Sequence, residues 1–79
     1  MNSSWYIVHN TLVREFKFPT FMEAIAFMNK VAAIAEELQH HPEMINMYDK
    51  VTLRLSTHDA GDIVTDKDRE LADRIDDLG

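Results

Sequence analysis

Polar and apolar positions alternate at the start of the chain, change to a helical spacing in the middle, and then go through the same cycle again. Residues 5–9, Trp-Tyr-Ile-Val-His, have the aromatic and β-branched composition of a strand, with His9 an ordinary strand residue. Asn10-Thr11 reads as a turn. Over residues 12–18, Leu12, Phe16 and Phe18 share one face and Val13, Glu15 and Lys17 the other, the pattern of a half-buried strand in which Arg14 falls on the apolar side. These two strands are expected to pair. Pro19-Thr20 ends the second, and Thr20 with Glu23 has capping-box spacing, which predicts a helix over 21–39. Its stripe is Ala24, Phe27, Met28, Val31, Ile34, Ala35 and Leu38. Met22, Ile25 and Ala32 widen it beyond one sheet contact, as in a helix with its own sheet on one side and a second copy of the chain on the other.

Pro42 disfavours the α region at the residue before it, so the helix should stop at about His41. Residues 45–48 and 51–57 then read as two strands around Asp49-Lys50, with Val51, Leu53 and Leu55 alternating against Thr52, Arg54 and Ser56. Tyr48 is expected to pack. Gly61 marks a loop, and Thr65 with Asp68 repeats the capping-box spacing before a last helix that carries Leu71, Ala72, Ile75 and Leu78 on one stripe and a Glu70–Arg74 pair one turn apart. The predicted order is ββαββα. That predicts an α+β fold, a four-stranded antiparallel sheet with two helices packed on one face, in a single domain over 1–79.

Composition narrows what such a fold can do. A domain of 79 residues buries only about 60% of the surface its unfolded chain exposes, and without cysteine neither a disulfide nor a thiolate zinc site can add stability. Oligomerisation is the remaining common remedy. The formal charge is −6, and residues 59–79 hold eight acidic side chains against three basic ones. Nucleic-acid binding needs the opposite sign, so no direct contact with nucleic acid is expected, and the acidic run reads as a solvated helix face. No basic residue precedes an apolar run in residues 1–4, and no apolar run approaches the ~20 residues a bilayer needs. A cytoplasmic protein with no membrane contact is expected.

The candidate chemistry lies in histidine. His40, His41 and His58 are three of the four in the chain, and imidazole can give or take a proton near neutral pH. Nucleophilic catalysis lacks its centre, because there is no cysteine and no serine in a nucleophile elbow. A metal site could draw on the three imidazoles, although neighbouring histidines are poor co-ligands and no helical His-x-x-x-His is present. A cationic pair favoured by a helix C-terminus also accounts for His40-His41.

The spacing of the whole set moves the balance among these. Glu36, His40-His41-Pro42, Tyr48, Ser56-Thr57-His58 and Asp68, in this order, resemble the signature of the pterin-4a-carbinolamine dehydratases over about residues 16–75. The resemblance implies dehydration of 4a-hydroxytetrahydropterin to quinonoid dihydropterin, a recycling step after an aromatic amino acid hydroxylase, without metal or redox cofactor. It implies His40 and His58 as the proton-transferring groups, with Asp68 fixing an imidazole or the site geometry. His41, Pro42, Ser56 and Thr57 would bind the pterin and Glu36 would support the site. It further implies a homodimer or homotetramer. The chain departs from the family pattern in three places: it starts at the first strand, without the additional N-terminal helix; Met44 stands where many relatives have tryptophan; and the loop over 59–64 is about one residue longer. Some relatives also serve as dimerisation cofactors of a transcription factor, so a protein-interaction module with little or no activity is the alternative.

Overall fold

The computed structural model describes residues 5–78, so the sequence expectation for residues 1–4 lies outside the described part. Strands β1 (Tyr6–Val8) and β2 (Thr11–Lys17) precede helix α1 (Phe21–Leu38); β3 (Glu43–Met47), β4 (Lys50–Leu55), a single 3₁₀ turn (His58–Ala60) and helix α2 (Asp66–Asp76) follow. The sheet runs β1-β2-β4-β3 with every neighbour antiparallel. This is the α+β architecture that the alternation predicts.

Register explains which face is covered. Leu12 lies opposite Leu55 and Phe16 opposite Val51, so these side chains point the same way. Together with Leu53 they meet Ala24, Val31 and Ile34 of α1 and Leu71, Ala72 and Ile75 of α2 in one core. Both helices therefore lie on the same face. Arg14, placed by parity on this apolar side, is reconciled by its contacts. Its guanidinium sits 4.4 Å from the centre of the Phe16 ring, and its Nη1 lies 2.6 Å from Asp76 Oδ1. Trp5 Nε1 donates to the same Asp76 oxygen, so one donor from β2 and one from the residue before β1 hold the C-terminal end of α2.

Both hairpin turns lie one residue earlier than the sequence predicts. Val8 still pairs with Thr11, and the turn is His9-Asn10, with φ of 50° and 62°. A two-residue hairpin of this hand needs positive φ at both central positions. His9 is consequently a turn residue, not a strand residue. In the second hairpin Met47 pairs with Lys50, and Tyr48 takes the positive φ, 53°. Asn46 Nδ2 donates to the carbonyls of Tyr48 and Lys50 and so braces that turn. Tyr48 stands exposed at its tip and does not pack.

The predicted helix starts hold. Thr20 Oγ1 accepts the Glu23 N–H at the head of α1, and Thr65 with Asp68 forms a capping box at the head of α2. The end of α1 differs from expectation: Gln39 takes φ 52°, the Gln39 N–H donates to the Glu36 carbonyl, and the His40 N–H donates to the Ala35 carbonyl. A left-handed residue with these two bonds is a Schellman stop, so the helix ends before Pro42 can act on it. The expected Glu70–Arg74 pair is replaced by Arg74 Nη2 to Glu37 Oε1 at 2.5 Å, which joins α2 to α1. On the wide face of α1, Met22 is exposed while Ile25 and Ala32 are half-buried. Among the described residues no helix is long and apolar enough to cross a membrane.

Candidate active site

The Schellman stop places the histidines. Reversing the chain at Gln39 sends His40 and His41 in different directions within two residues. The His40 side chain is only 12% exposed, with Nε2 2.5 Å from Asp68 Oδ1. His41 is more than half exposed, with Nε2 2.5 Å from Glu36 Oε1.

Asp68 is the third residue of α2 and fully buried. Its Oδ2 accepts the Thr65 N–H at 2.8 Å and the Thr57 hydroxyl at 2.7 Å, while Oδ1 faces His40. Burial pushes the Asp68 carboxyl up, but the hydrogen bonds from His40, the Thr65 backbone and Thr57, with the attraction of the His40 charge, outweigh it. The net direction is below the usual carboxylate value. Asp68 is thus a carboxylate at neutral pH, and a carboxylate can only accept, so His40 donates through Nε2, and in the neutral ring Nδ1 is then the acceptor. The capping role and the histidine contact coexist, because each uses a different oxygen.

His58 enters from β4. The strand ends at Leu55, and the following loop is closed by a bridge between Thr57 and Ile63. Gly61 turns it at φ 91°, where a side chain is strained. This loop leaves Asp68 in reach of His40. His58 Nδ1 lies 3.0 Å from Asp62 Oδ1. The bond to Asp62, the Asp62 charge and then the Asp59 charge raise the His58 pKa above 6.5, so near neutral pH it holds its proton more firmly than a free imidazole.

His41, Ser56 and His58 line one cleft of about 260 Å³ together with Thr11, Glu43 and Arg54. Arg54 lies between Val13 and Glu43 in the sheet, and its Nε is 2.9 Å from Glu43 Oε1. A larger cavity, about 410 Å³, lies on the helix side among Arg14, Phe16, Phe18 and Phe27, and no histidine lines it. Of these two, the smaller cleft is the one that histidines line. Among the described residues no three His, Cys, Asp or Glu side chains gather closely enough to hold a metal ion.

Comparison with known proteins gives this arrangement a family. The family model described as "Pterin 4 alpha carbinolamine dehydratase" matches residues 1–78. The chain belongs to the pterin-4-alpha-carbinolamine dehydratase family. A protein of Prochlorococcus marinus strain NATL2A named "Putative pterin-4-alpha-carbinolamine dehydratase" is 49% identical over 77 residues, covering 98% of this chain and 80% of the relative. A protein of the same name from Opitutus terrae is 51% identical over 71 residues, 90% of this chain and 73% of that one. Among solved structures, the transcriptional coactivator/pterin dehydratase from Brucella melitensis superposes with a TM-score of 0.87 at 37% identity, covering 94% of this chain and 80% of its own. A pterin dehydratase-like protein described as a RuBisCO assembly factor in the α-carboxysome superposes with a TM-score of 0.78 at 26% identity, over 96% of this chain and 89% of its own.

Within this family frame the sequence-derived residues separate into two groups. His41, His58 and Ser56 share the cleft, whereas His40 and Asp68 form a pair that is shielded from solvent. Thr57, expected among the substrate-binding residues, turns inward: its side chain is buried and its hydroxyl donates to Asp68. Pro42 is half-buried between His41 and β3, and Met44, on the inner face opposite Leu53, packs against the core. Glu36 holds His41 directly. Three further cleft residues, Thr11, Glu43 and Arg54, and the His58 partner Asp62 escaped the sequence. For Asp62 the signal was present, since it follows His58 by four residues; for Arg54 it was the shared parity with Ser56.

Proposed function

We propose that this chain dehydrates 4a-hydroxytetrahydropterin to the quinonoid dihydropterin and water by histidine acid/base catalysis. The observation that carries this is the buried Asp68–His40 pair, immediately followed in the chain by a histidine of the His41/His58 cleft. The reaction breaks the C4a–O bond and converts the adjacent C4a–N single bond to a double bond. One proton goes to the departing hydroxyl, and one leaves the ring nitrogen. His58, whose pKa is raised by Asp62, is the donor. His40, held as the Nε2–H tautomer by Asp68, takes the ring proton on Nδ1. His41, Pro42 and Ser56 hold the pterin, and Glu36 sets the His41 ring. General acid/base groups typically contribute about 10²–10⁴-fold each.

The proposed setting is cytoplasmic pterin recycling, with an aromatic amino acid hydroxylase supplying the substrate and the chain working as a homodimer or homotetramer. Purified protein should accelerate loss of the 4a-hydroxypterin absorbance, and His40→Ala and His58→Ala should each lower the rate by about 10²-fold or more. A rate equal to buffer refutes the enzyme. Light scattering at micromolar concentration tests the oligomer, and a monomer there overturns it.

A second function is favoured by the names of the two solved relatives, one a transcriptional coactivator and one a RuBisCO assembly factor. Residues Tyr6, Ile45 and Met47 on the sheet face away from the helices remain exposed, an apolar set that would serve protein binding. Wild-type activity lost in Ile45→Asp with the fold intact assigns that face to assembly of the enzyme; an inactive wild type leaves the interaction module as the function.

A further inference from the structure

Two hydroxyls reach Asp68 Oδ2, Thr57 at 2.7 Å and Thr65 at 3.5 Å, and the shorter contact sets the donor direction. Thr57 Oγ1 lies 2.7 Å from Asp68 Oδ2 and 2.6 Å from Thr65 Oγ1. Each hydroxyl has one proton. Asp68 is ionised and can only accept, so Thr57 spends its proton on Oδ2 and must itself accept from Thr65. The Thr65 hydroxyl in turn accepts the Lys67 N–H at 3.3 Å. Donors therefore run Lys67 N–H, Thr65 O–H, Thr57 O–H to the carboxylate, each bond polarising the next. All of this occupies Oδ2, and among the described residues no buried side-chain nitrogen or oxygen lacks a partner. Oδ1 is left with the His40 ring as its side-chain partner.

We propose that Thr57 is a positioning residue: its buried hydroxyl, fed by Thr65, turns the Asp68 carboxylate so that Oδ1 fixes the tautomer and orientation of the His40 ring. Thr57 then acts through Asp68 and not on the substrate, on the dehydratase function proposed above. The hydroxyl also joins the end of β4 to the first turn of α2, so the histidine on the far side of the carboxylate is set by the docking of two elements that do not carry it. A valine at this position keeps the shape and removes the donor. A serine keeps the donor and removes a methyl.

The test compares the wild type with Thr57→Val and Thr57→Ser. In Thr57→Val, kcat should fall roughly tenfold, at the low end of what one hydrogen bond to a charged group is worth, with KM changed less than about twofold. Thr57→Ser should restore kcat to within about threefold. Nitrogen NMR of the ligand-free protein should show His40 as the Nε2–H tautomer in the wild type and in Thr57→Ser, and a raised Nδ1–H share in Thr57→Val. A raised KM at unchanged kcat overturns the proposal in favour of a substrate contact. An unaltered His40 tautomer in Thr57→Val overturns it as well. If that variant does not fold, the wild-type Thr57 hydroxyl proton decides: slow exchange with solvent supports the directed bond, and exchange as fast as for an exposed threonine refutes it. Should the wild type show no dehydration, the enzyme function falls, while the NMR comparison still decides what Thr57 does.

Discussion

Asp68 Oδ1 lies 2.5 Å from Nε2 of His40, across 28 residues of chain, while the other oxygen of the same carboxylate caps the helix that carries it. One side chain thereby fixes both a fold element and a candidate proton acceptor. A capping residue at this point needs only one oxygen, and the second is free to act on whatever α1 delivers.

Replacing Asp68 by asparagine separates the two jobs. The amide oxygen can still accept from Thr65, but an amide nitrogen turned to His40 offers a donor where the ring needs an acceptor. We expect kcat to fall about 10²-fold, within the range of general acid/base effects. Urea unfolding should show a loss of about 1–3 kcal/mol, because a buried hydrogen-bond set is left partly unmade. Unchanged kcat would remove Asp68 from the site.

The same carboxylate makes stability depend on acid. Its folded pKa lies below the free value of 3.8, so its contribution is present above 3.8 and is lost as pH falls through that value to the folded pKa. Wild-type Tm should therefore drop more steeply than that of Asp68→Asn as the pH is lowered from about 4. Parallel curves in thermal melts would contradict the ionised carboxylate.

His58 should set the alkaline side of the pH–rate profile. As the proton donor it must be charged, and activity is lost as pH rises through its raised pKa. Asp62→Asn removes the main cause of that rise, so the alkaline fall should move to lower pH, towards 6.5. No displacement of this limb in kcat measured against pH would show that His58 is not the donor.

Gln39 offers a test of the helix stop. It holds φ 52°, a conformation that costs a residue with a Cβ about 1 kcal/mol and glycine nearly nothing. Gln39→Gly should raise stability by up to about that amount in urea unfolding, less the backbone entropy glycine brings and the Gln39 Nε2 bond to the Glu36 carbonyl that is lost. A loss above 1 kcal/mol would argue against the left-handed stop.

Much of the fold was legible because it is local. Alternation at Leu12, Phe16, Val51, Leu53 and Leu55 marked the covered sheet face, and Thr20 and Thr65 marked both helix starts within a residue or two. The turns lie off their expected places for a local reason too: neither contains glycine, and His9, Asn10 and Tyr48 take positive φ where the chain must reverse. Pro42 points to the end of α1 because a proline is visible in sequence, whereas a left-handed glutamine is not.

By itself, then, the sequence determined the element order, the apolar faces, the helix caps and the set of histidines and carboxylates that resembles the family. Only the tertiary structure decided how those residues are shared out: His40 turned inward to Asp68, His41 outward to Glu36, Arg14 given to Asp76, and Arg74 given to Glu37. Periodicity is a property of neighbours a few residues apart, and it fixes which face a side chain occupies. Three of these partner choices span 28 to 62 residues and depend on where two elements dock; the fourth, His41 with Glu36, depends on which way a single left-handed residue sends the chain, and the alternation records neither.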